Sequence, residues 1–216
     1  CARATLPVTS NNKKVNNQIK TIKMKKTLLT MALATGLAFC TKAQTPVFSS
    51  DLENWATSTF TNSPTAPTDW MGSKTTPAIT VSQASTGADA PYHGSLALKI
   101  VNTATTAVRL TTQPVAIVQG SAYLVTYYAK GKGSIRSGLY TGKTTSAGFG
   151  YAAYSSYISV SSNTWHKYTQ SVIADTNNTT TAQFILSVKS TGTYTTTGGT
   201  NNITGLDIDS VNIVPY

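Results

Sequence analysis

From Gln44 onward the sequence predicts an all-β protein, built as an antiparallel β-sandwich or a barrel. Thr, Ser, Asn, Gly and Tyr dominate this region, and the runs of Leu, Glu, Lys or Ala that build helices are nearly absent. Apolar and polar residues alternate with a period of two in many short segments. Clusters of turn-forming residues separate those segments. Short strands at this spacing are typical of sandwiches and barrels.

Nine segments carry the alternating pattern, and we predict a strand in each. In chain order they are 78–81, 96–101, 107–111, 122–129, 135–140, 157–160, 165–173, 184–188 and 206–213. The predicted turns between them include 131–133, 161–163, 175–178 and 198–202.

The alternation also assigns each residue of a strand to one of its two faces. Residues Arg136 and Tyr140 are predicted to point outward. If segments 122–129 and 135–140 pair as neighbours, Tyr128 shares their solvent-facing surface. We expect Trp55 and Trp165 to be buried. The alternation places in the core Tyr123, Val125, Tyr127, Ala129, Ile135, Leu139, Ala182, Phe184, Leu186 and Val188.

The first 43 residues differ sharply from the rest. Eight of the seventeen basic residues precede Ala43, whereas all seven acidic residues follow it. Segment 24–43 begins with Met24 and two lysines and continues with an apolar run over 28–39, which predicts a signal peptide cleaved after Ala43. The run is too short to span a bilayer, so we predict no transmembrane segment.

This division defines the expected organisation of the chain. Residues 1–23 precede a natural Met start and are predicted to be translated upstream sequence and disordered. Residues 44–216 are predicted to form a single domain that is secreted or periplasmic. Cys1 and Cys40 both fall in the removed part, so disulfides and thiolate sites are not expected. Nine bases against seven acids leave a net charge of +2 after Ala43, which argues against nucleic-acid binding.

Six short motifs follow one another in an order that resembles a known fold family. They are Leu52-Glu53-Asn54-Trp55, Trp70 after a Pro-rich loop, His93-Gly94-Ser95-Leu96-Ala97-Leu98-Lys99-Ile100, Gly120-Ser121-Ala122-Tyr123 leading to Ala129-Lys130-Gly131, Thr164-Trp165-His166-Lys167-Tyr168, and Leu206-Asp207-Ile208-Asp209-Ser210-Val211. This order resembles the galactose-binding-like jelly roll, and more narrowly the carbohydrate-binding modules of the families four and nine type in exported bacterial proteins. The resemblance implies a two-sheet antiparallel β-sandwich without catalytic activity.

The resemblance also implies a structural calcium ion between the first and last strands. Glu53 and Asp209 match the usual positions of its carboxylate ligands, with Asp51 and Asp207 as possible substitutes. Ser210 stands where the pattern usually has a second Asp, so backbone carbonyls near Gly94 would have to complete the six to eight oxygen ligands that calcium requires. The alternative is that Glu53 and Asp209 are surface residues or a hydrogen-bonded pair joining the chain ends.

A carbohydrate partner is expected to contact aromatic side chains, because flat rings pack against the C–H faces of pyranoses. The densest aromatic stretch runs from Tyr140 to Tyr157, where small residues leave the rings accessible. Core packing is the alternative role for these rings. The candidate carbohydrate-binding residues are Tyr128, Arg136, Tyr140, Phe149, Tyr151, Tyr154 and, on a loop, Trp70.

Two other functions are weighed against this prediction. An enzyme could use Asp207 and Asp209 as a glycosidase pair, or His166, Tyr140 and Arg136 as a lyase set, but the residues around them show no further catalytic pattern. We therefore predict a non-enzyme. The second alternative is a structural or adhesive extracellular β-sandwich without a sugar site, for which Thr-rich strands of low charge are equally suitable.

Overall fold

Strands make up nearly all of the regular structure in the computed structural model. The structure describes residues 44–142, 154–174, 180–196, 198–199 and 202–216, and 44–216 form one compact unit. In chain order the strands are β1 (Phe48–Ser50), β2 (Trp55–Phe60), β3 (Ser63–Pro67), β4 (Thr80–Ala84), β5 (Ala97–Val101), β6 (Val108–Thr111), β7 (Val115–Ala116), β8 (Ala122–Tyr140), β9 (Ile158–Ile173), β10 (Thr181–Lys189), β11 (Thr193–Tyr194), β12 (Ile203–Thr204) and β13 (Leu206–Pro215). Two short 3-10 turns, Thr68–Trp70 and Gly87–Asp89, interrupt the loops.

Nine of these strands form one curled antiparallel sheet in the order β4-β5-β13-β8-β10-β6, with β1 added to β13, β7 to β10 and β9 to β8. The first half of β8 pairs with β13, and its second half pairs with β10. We call β1, β4, β5 and β13 with residues 122–131 the first layer, and β6, β7 and β10 with residues 134–140 the second layer. The fold is therefore an all-β sandwich of the jelly-roll type, as predicted.

The long hairpin of β8 and β9 differs from the sequence prediction. The predicted turns at 131–133 and 161–163 lie inside these strands, and Gly131 pairs with Ser162 across them. The turn residues mark a bend instead, because the pairing shifts between Ala129 and Gly131 and Gly131 has a φ of +103°. A side chain on Gly131 would also meet the carbonyl oxygen of Gly205. Segments 122–129 and 135–140 are thus parts of one strand and not paired neighbours.

One hydrophobic core lies between the layers, and the predicted alternation holds there. All ten residues assigned to the core by alternation are at most 3% exposed. They pack in one cluster with Leu98 and Ile208 of the first layer and Leu110 of the second. Burial of such apolar area is the main term that stabilises the fold. The sequence did not predict six strands, all of them only two to six residues long: β1, β2, β3, β7, β11 and β12.

Candidate functional site

The outer face of the second layer carries a row of polar side chains that spans four strands. Ser187 of β10 is paired with Arg136 of β8 on one side and with Arg109 of β6 on the other. Directly paired residues of antiparallel strands share a face, so all three lie on the outer side of this layer. Tyr157, immediately before β9, extends the row beyond Arg136. With strands about 4.8 Å apart, the row is about 14 Å long.

Arg136 lies between two tyrosine rings at the centre of this row. Its guanidinium carbon is 3.9 Å from the ring centre of Tyr154 and 4.4 Å from that of Tyr157. The ammonium of Lys189 is 4.2 Å from the ring centre of Tyr157. All four side chains are partly exposed. We call Arg109, Arg136, Tyr154, Tyr157, Ser187 and Lys189 the basic face.

Segment 154–157 is fixed to β8 by hydrogen bonds, so the two rings have defined positions. The Ser155 amide donates to the Ser137 carbonyl at 3.0 Å, and the Ser137 amide donates to Ser155 Oγ at 3.0 Å. Buried Gln170 accepts from the Ser137 amide at 2.9 Å and donates to the Ser156 carbonyl at 2.8 Å. The Tyr157 hydroxyl is 3.1 Å from Ser187 Oγ. These bonds hold the rings in place before any ligand arrives.

Tyr140 extends the aromatic part of the basic face towards one end of the second layer. Tyr140 is paired with Gln183 on the same side of the sheet, and Lys74 lies 4.7 Å from the centre of its ring. A cavity beside Tyr140 has a volume of about 110 Å³, well below the roughly 300 Å³ at which ligand pockets begin. A ligand of this face would therefore lie across the sheet and not enter a pocket.

Tyr128 lies elsewhere, which corrects the prediction that it shares a surface with Arg136 and Tyr140. It is in the first half of β8 and faces outward from the first layer, where its ring stacks on Tyr92 at 3.7 Å between centres. Tyr128 also lines an open groove of about 320 Å³ with Lys167 and Asn212. Tyr92, a 47% exposed ring on the loop between β4 and β5, was not among the predicted site residues.

The predicted calcium ligands bind this same loop through hydrogen bonds. Asp209 Oδ2 accepts from the amides of Tyr92 and His93 at 2.8 and 3.0 Å. Glu53 Oε1 accepts from the amides of Ser95 and Leu96 at 2.8 and 3.0 Å. The structure thus joins Glu53 and Asp209 to one loop, whereas the alternative expected from the sequence was a hydrogen bond between the two.

These hydrogen bonds bear on the calcium prediction. An N–H group directs its positive end at the carboxylate and competes with a cation for the same lone pairs. Among the described residues, no group of three acidic or histidine side chains converges on one point. The oxygen set that calcium requires is therefore not assembled by these side chains, and calcium binding stays a prediction.

Asp207 lies beneath the same loop in a buried cluster of charges. Its two carboxylate oxygens are each 3.9 Å from an ammonium group, one from Lys99 and one from Lys130. Lys99 also pairs with Asp89, and Lys130 donates to the carbonyls of Ala88 and Ala90 at 2.7 and 2.8 Å. Burial raises the pKa of Asp207 to about 7, although the two lysines oppose the shift. Burial likewise lowers the pKa of Lys130.

The two enzyme alternatives gain no support from these positions. Asp207 and Asp209 are fully buried, so a glycosidic bond cannot reach between them. His166 is paired with Ala129 in the first layer, seven residues along β8 from Arg136, which is about 23 Å at the usual rise of a strand. The lyase set of His166, Tyr140 and Arg136 is therefore not brought together.

The predicted exposure or burial of the three tryptophans is only partly confirmed by the structure. Trp70 is fully buried, edge-on to Phe48 at 5.6 Å, so the prediction that it is a loop platform is wrong. Its large apolar surface is what favours that burial. Trp165 is partly exposed on the first layer, and its indole N–H donates to the Ala90 carbonyl at 3.1 Å, so its predicted burial is also wrong. Trp55 is partly buried against the core. The candidates Phe149 and Tyr151 lie outside the described residues.

No protein-family model and no curated protein sequence matches this chain. Among solved structures, the chain is similar to the CBM22-1 xylan-binding domain of Paenibacillus barcinonensis Xyn10C, with 11% identity over 82% of this chain and 97% of that chain and a TM-score of 0.47. It is also similar to carbohydrate-binding module CBM6cm-2 of Cellvibrio mixtus lichenase 5A in complex with cellotriose, with 13% identity, coverages of 79% and 98%, and a TM-score of 0.43.

A third similar structure is the arabinose-bound α-L-arabinofuranosidase MgGH51, with 13% identity over 62% of this chain and 22% of that chain and a TM-score of 0.43. The carbohydrate-binding modules agree with the resemblance predicted from the motifs. Because their TM-scores are below 0.5, these similarities do not indicate which ligand this chain binds. A proposed function must therefore be based on the residues of this chain. In the part of the chain that the structure describes, no helix is long and apolar enough to cross a membrane.

Proposed function

We propose that this protein is an exported, non-catalytic carbohydrate-binding module that binds a polysaccharide or oligosaccharide across its basic face. The observation that carries the proposal is the pair of partly exposed rings, Tyr154 and Tyr157, on either side of Arg136. Tyrosine rings offer an apolar surface for the C–H faces of a sugar and a hydroxyl for its polar groups.

The surroundings of these rings suit a polar, extended ligand. Arg136 provides hydrogen-bonding groups beside the rings, whereas Ser187 is only 1% exposed and serves to hold the Tyr157 hydroxyl. Tyr140 continues the aromatic surface along β8. Ile185 and Ser187, the outward residues of β10 at the centre of this face, are each 1% exposed. A linear chain of sugars would therefore contact the partly exposed side chains of the face and not the sheet beneath them. Hydrogen bonds from Ser137 and Gln170 hold segment 154–157 in advance, which lowers the entropy lost when a ligand binds.

The first-layer groove at Tyr128 is the alternative location for the site. Tyr92 covers one face of the Tyr128 ring at 3.7 Å, as Arg136 does for Tyr154 and Tyr157, so the covering of a ring does not distinguish the two locations. Tyr92 itself is exposed, which makes it the natural control residue for the experiment below.

A structural or adhesive role is the second candidate, and one contact favours it. The Tyr154 ring lies directly over Gly138, where an added side-chain carbon would meet the ring. This packing alone gives Tyr154 a reason to be present without any ligand. Tyr157 contacts side chains, because its hydroxyl is 3.1 Å from Ser187 Oγ and its ring centre is 4.2 Å from the Lys189 ammonium.

Affinity electrophoresis through gels that contain neutral and acidic polysaccharides tests the proposal. We expect at least one polysaccharide to retard the protein, and Tyr157→Ala and Tyr154→Ala each to weaken that retardation several-fold. Tyr92→Ala, which removes a more exposed ring on the side of the first layer, should leave it unchanged. Circular dichroism spectra should be the same for all variants. Unretarded migration in every gel, or loss of retardation in Tyr92→Ala alone, would overturn the proposal.

A further inference from the structure

The acidic side chains that the structure describes lie away from the basic face. In the described part of the chain, every ion pair joins Lys99 or Lys130 to Asp89 or Asp207 in the first layer. Asp209 and Glu53 are occupied by amides of the loop between β4 and β5. These four acids therefore lie on the side of the sandwich opposite to the basic face.

The remaining described acids are also bound away from the basic face. Asp69 accepts from Ser50 Oγ at 3.3 Å, and Asp51 accepts from the Glu53 amide at 3.2 Å. Arg136 and Lys189 thus contact tyrosine rings and no carboxylate among the described residues. The Nε–H of Arg136 is buried and lacks a hydrogen-bond acceptor within the same residues.

The spacing of the cations fits a repeating anionic ligand. Arg136 and Arg109 are separated by the single strand β10, so their backbones lie about 10 Å apart. Lys189 is two residues beyond Ser187 on β10, about 7 Å along the strand and on the same face. An arginine guanidinium binds a carboxylate or sulfate through two parallel N–H bonds, and the flanking rings hold its plane in a fixed orientation.

From these observations we infer that the basic face selects acidic glycans, whose sugars carry carboxylate or sulfate groups. The inference rests on the proposed function and names the substrate class of the same site. The rings of Tyr154 and Tyr157 contact sugar faces, and Arg136 with Lys189 pairs with the anionic groups between them. Nucleic acid is the less suitable polyanion, because the region after Ala43 has a net charge of only +2 and nucleic-acid binding depends on many simultaneous phosphate contacts.

Retention on matched polymers tests the inference. Polygalacturonate is compared with its fully methyl-esterified form, which has the same backbone without the charge; alginate, a sulfated galactan and single-stranded DNA complete the set. We expect retention on at least one acidic glycan to exceed retention on the neutral ester at least tenfold at 50 mM NaCl, and to fall steeply at 500 mM NaCl. The Arg136→Gln and Lys189→Gln variants should each lose about tenfold on the acidic glycan.

Two further variants test whether charge alone explains the binding. Lys167→Gln removes one exposed positive charge from the first layer and should retain wild-type binding. Arg136→Lys keeps the charge but cannot form two parallel N–H bonds to one anionic group, so its retention on the acidic glycan should fall several-fold. Equal retention on the acidic and esterified polymers would overturn the inference while the proposed function stands. Retention on DNA alone would assign the face to nucleic acid, and no retention on any polymer would remove both proposals.

Discussion

Asp207 is the residue whose environment departs furthest from that of an ordinary surface carboxylate. It is fully buried, and its pKa is about 7, mainly because burial disfavours the charged form. The charged groups that act on it are Asp89 from the loop, Lys99 from β5 and Lys130 from β8. Asp89 raises the pKa of Asp207 further, and the two lysines limit the shift.

The pKa of Asp207 predicts a pH dependence of stability. In the unfolded chain an aspartate has its ordinary pKa near 4, so between about pH 4 and 7 the folded protein binds a proton that the unfolded chain has released. The contribution of Asp207 to the free energy of unfolding is therefore largest below pH 4 and falls as the pH rises to 7. The slope has an upper limit of about 1.4 kcal/mol per pH unit.

Asp207→Asn isolates this effect, because an amide resembles the protonated acid in shape and charge. We expect urea unfolding at pH 5, 6, 7 and 8 to show that the wild type loses stability relative to Asp207→Asn as the pH rises to about 7, with little change beyond. Other titrating groups are common to both proteins and cancel in the difference. A difference that stays constant over this range would show that Asp207 is ionised throughout.

Single-residue predictions from the sequence succeeded where only the face of a strand mattered. Arg136 points outward, and Leu139 and Phe184 point inward, because alternation depends only on local backbone geometry. The prediction for Tyr128 was wrong because it assumed two paired strands where there is one bent strand. The burial of Trp70 was not predictable for another reason: its Pro-rich segment gives no sign that Phe48 packs against it.

The hairpin of β8 and β9 is the element that determines where the basic face lies. Gly131 and Ser162 pair at the bend, so the two turn-like clusters in the sequence are opposite each other and direct both strands from the first layer into the second. Residues before the bend belong with β13, and those after it with β10. Turn-forming residues in the sequence do not distinguish a bend of this kind from two separate turns.

Gly131→Ala tests the importance of this bend. Its φ of +103° is unfavourable for alanine, and the added carbon would meet the Gly205 carbonyl, so we expect a loss of roughly 3 kcal/mol or more in the free energy of unfolding. Gly142→Ala is the matched control, because Gly142 has a φ of +78° but open space around it. The control should lose only about 1 to 2 kcal/mol. Equal losses in urea unfolding would mean that the contact with Gly205 is unimportant.

At the scale of the whole molecule, the distance of the described acids from the basic face is the property most relevant to function. The sequence shows that nine bases and seven acids follow Ala43, but it does not show that Asp207 and Asp209 lie in the first layer while Arg136 and Lys189 share the second. That arrangement depends on the register between β8 and β10, which are more than 40 residues apart. The fold class, the core and the outward direction of Arg136 were therefore predictable, whereas the partners Ser187 and Lys189 were not.

The most direct test of the central claim is an amide NMR titration of residues 44–216 with oligosaccharides of the glycan that retains the protein. We predict that the largest chemical-shift changes occur at Arg136, Tyr154, Tyr157, Ser187 and Lys189, with little change in the loop from Tyr92 to Leu96. Shifts concentrated in that loop and at Tyr128, with the second layer unaffected, would contradict the account and place the ligand in the first-layer groove.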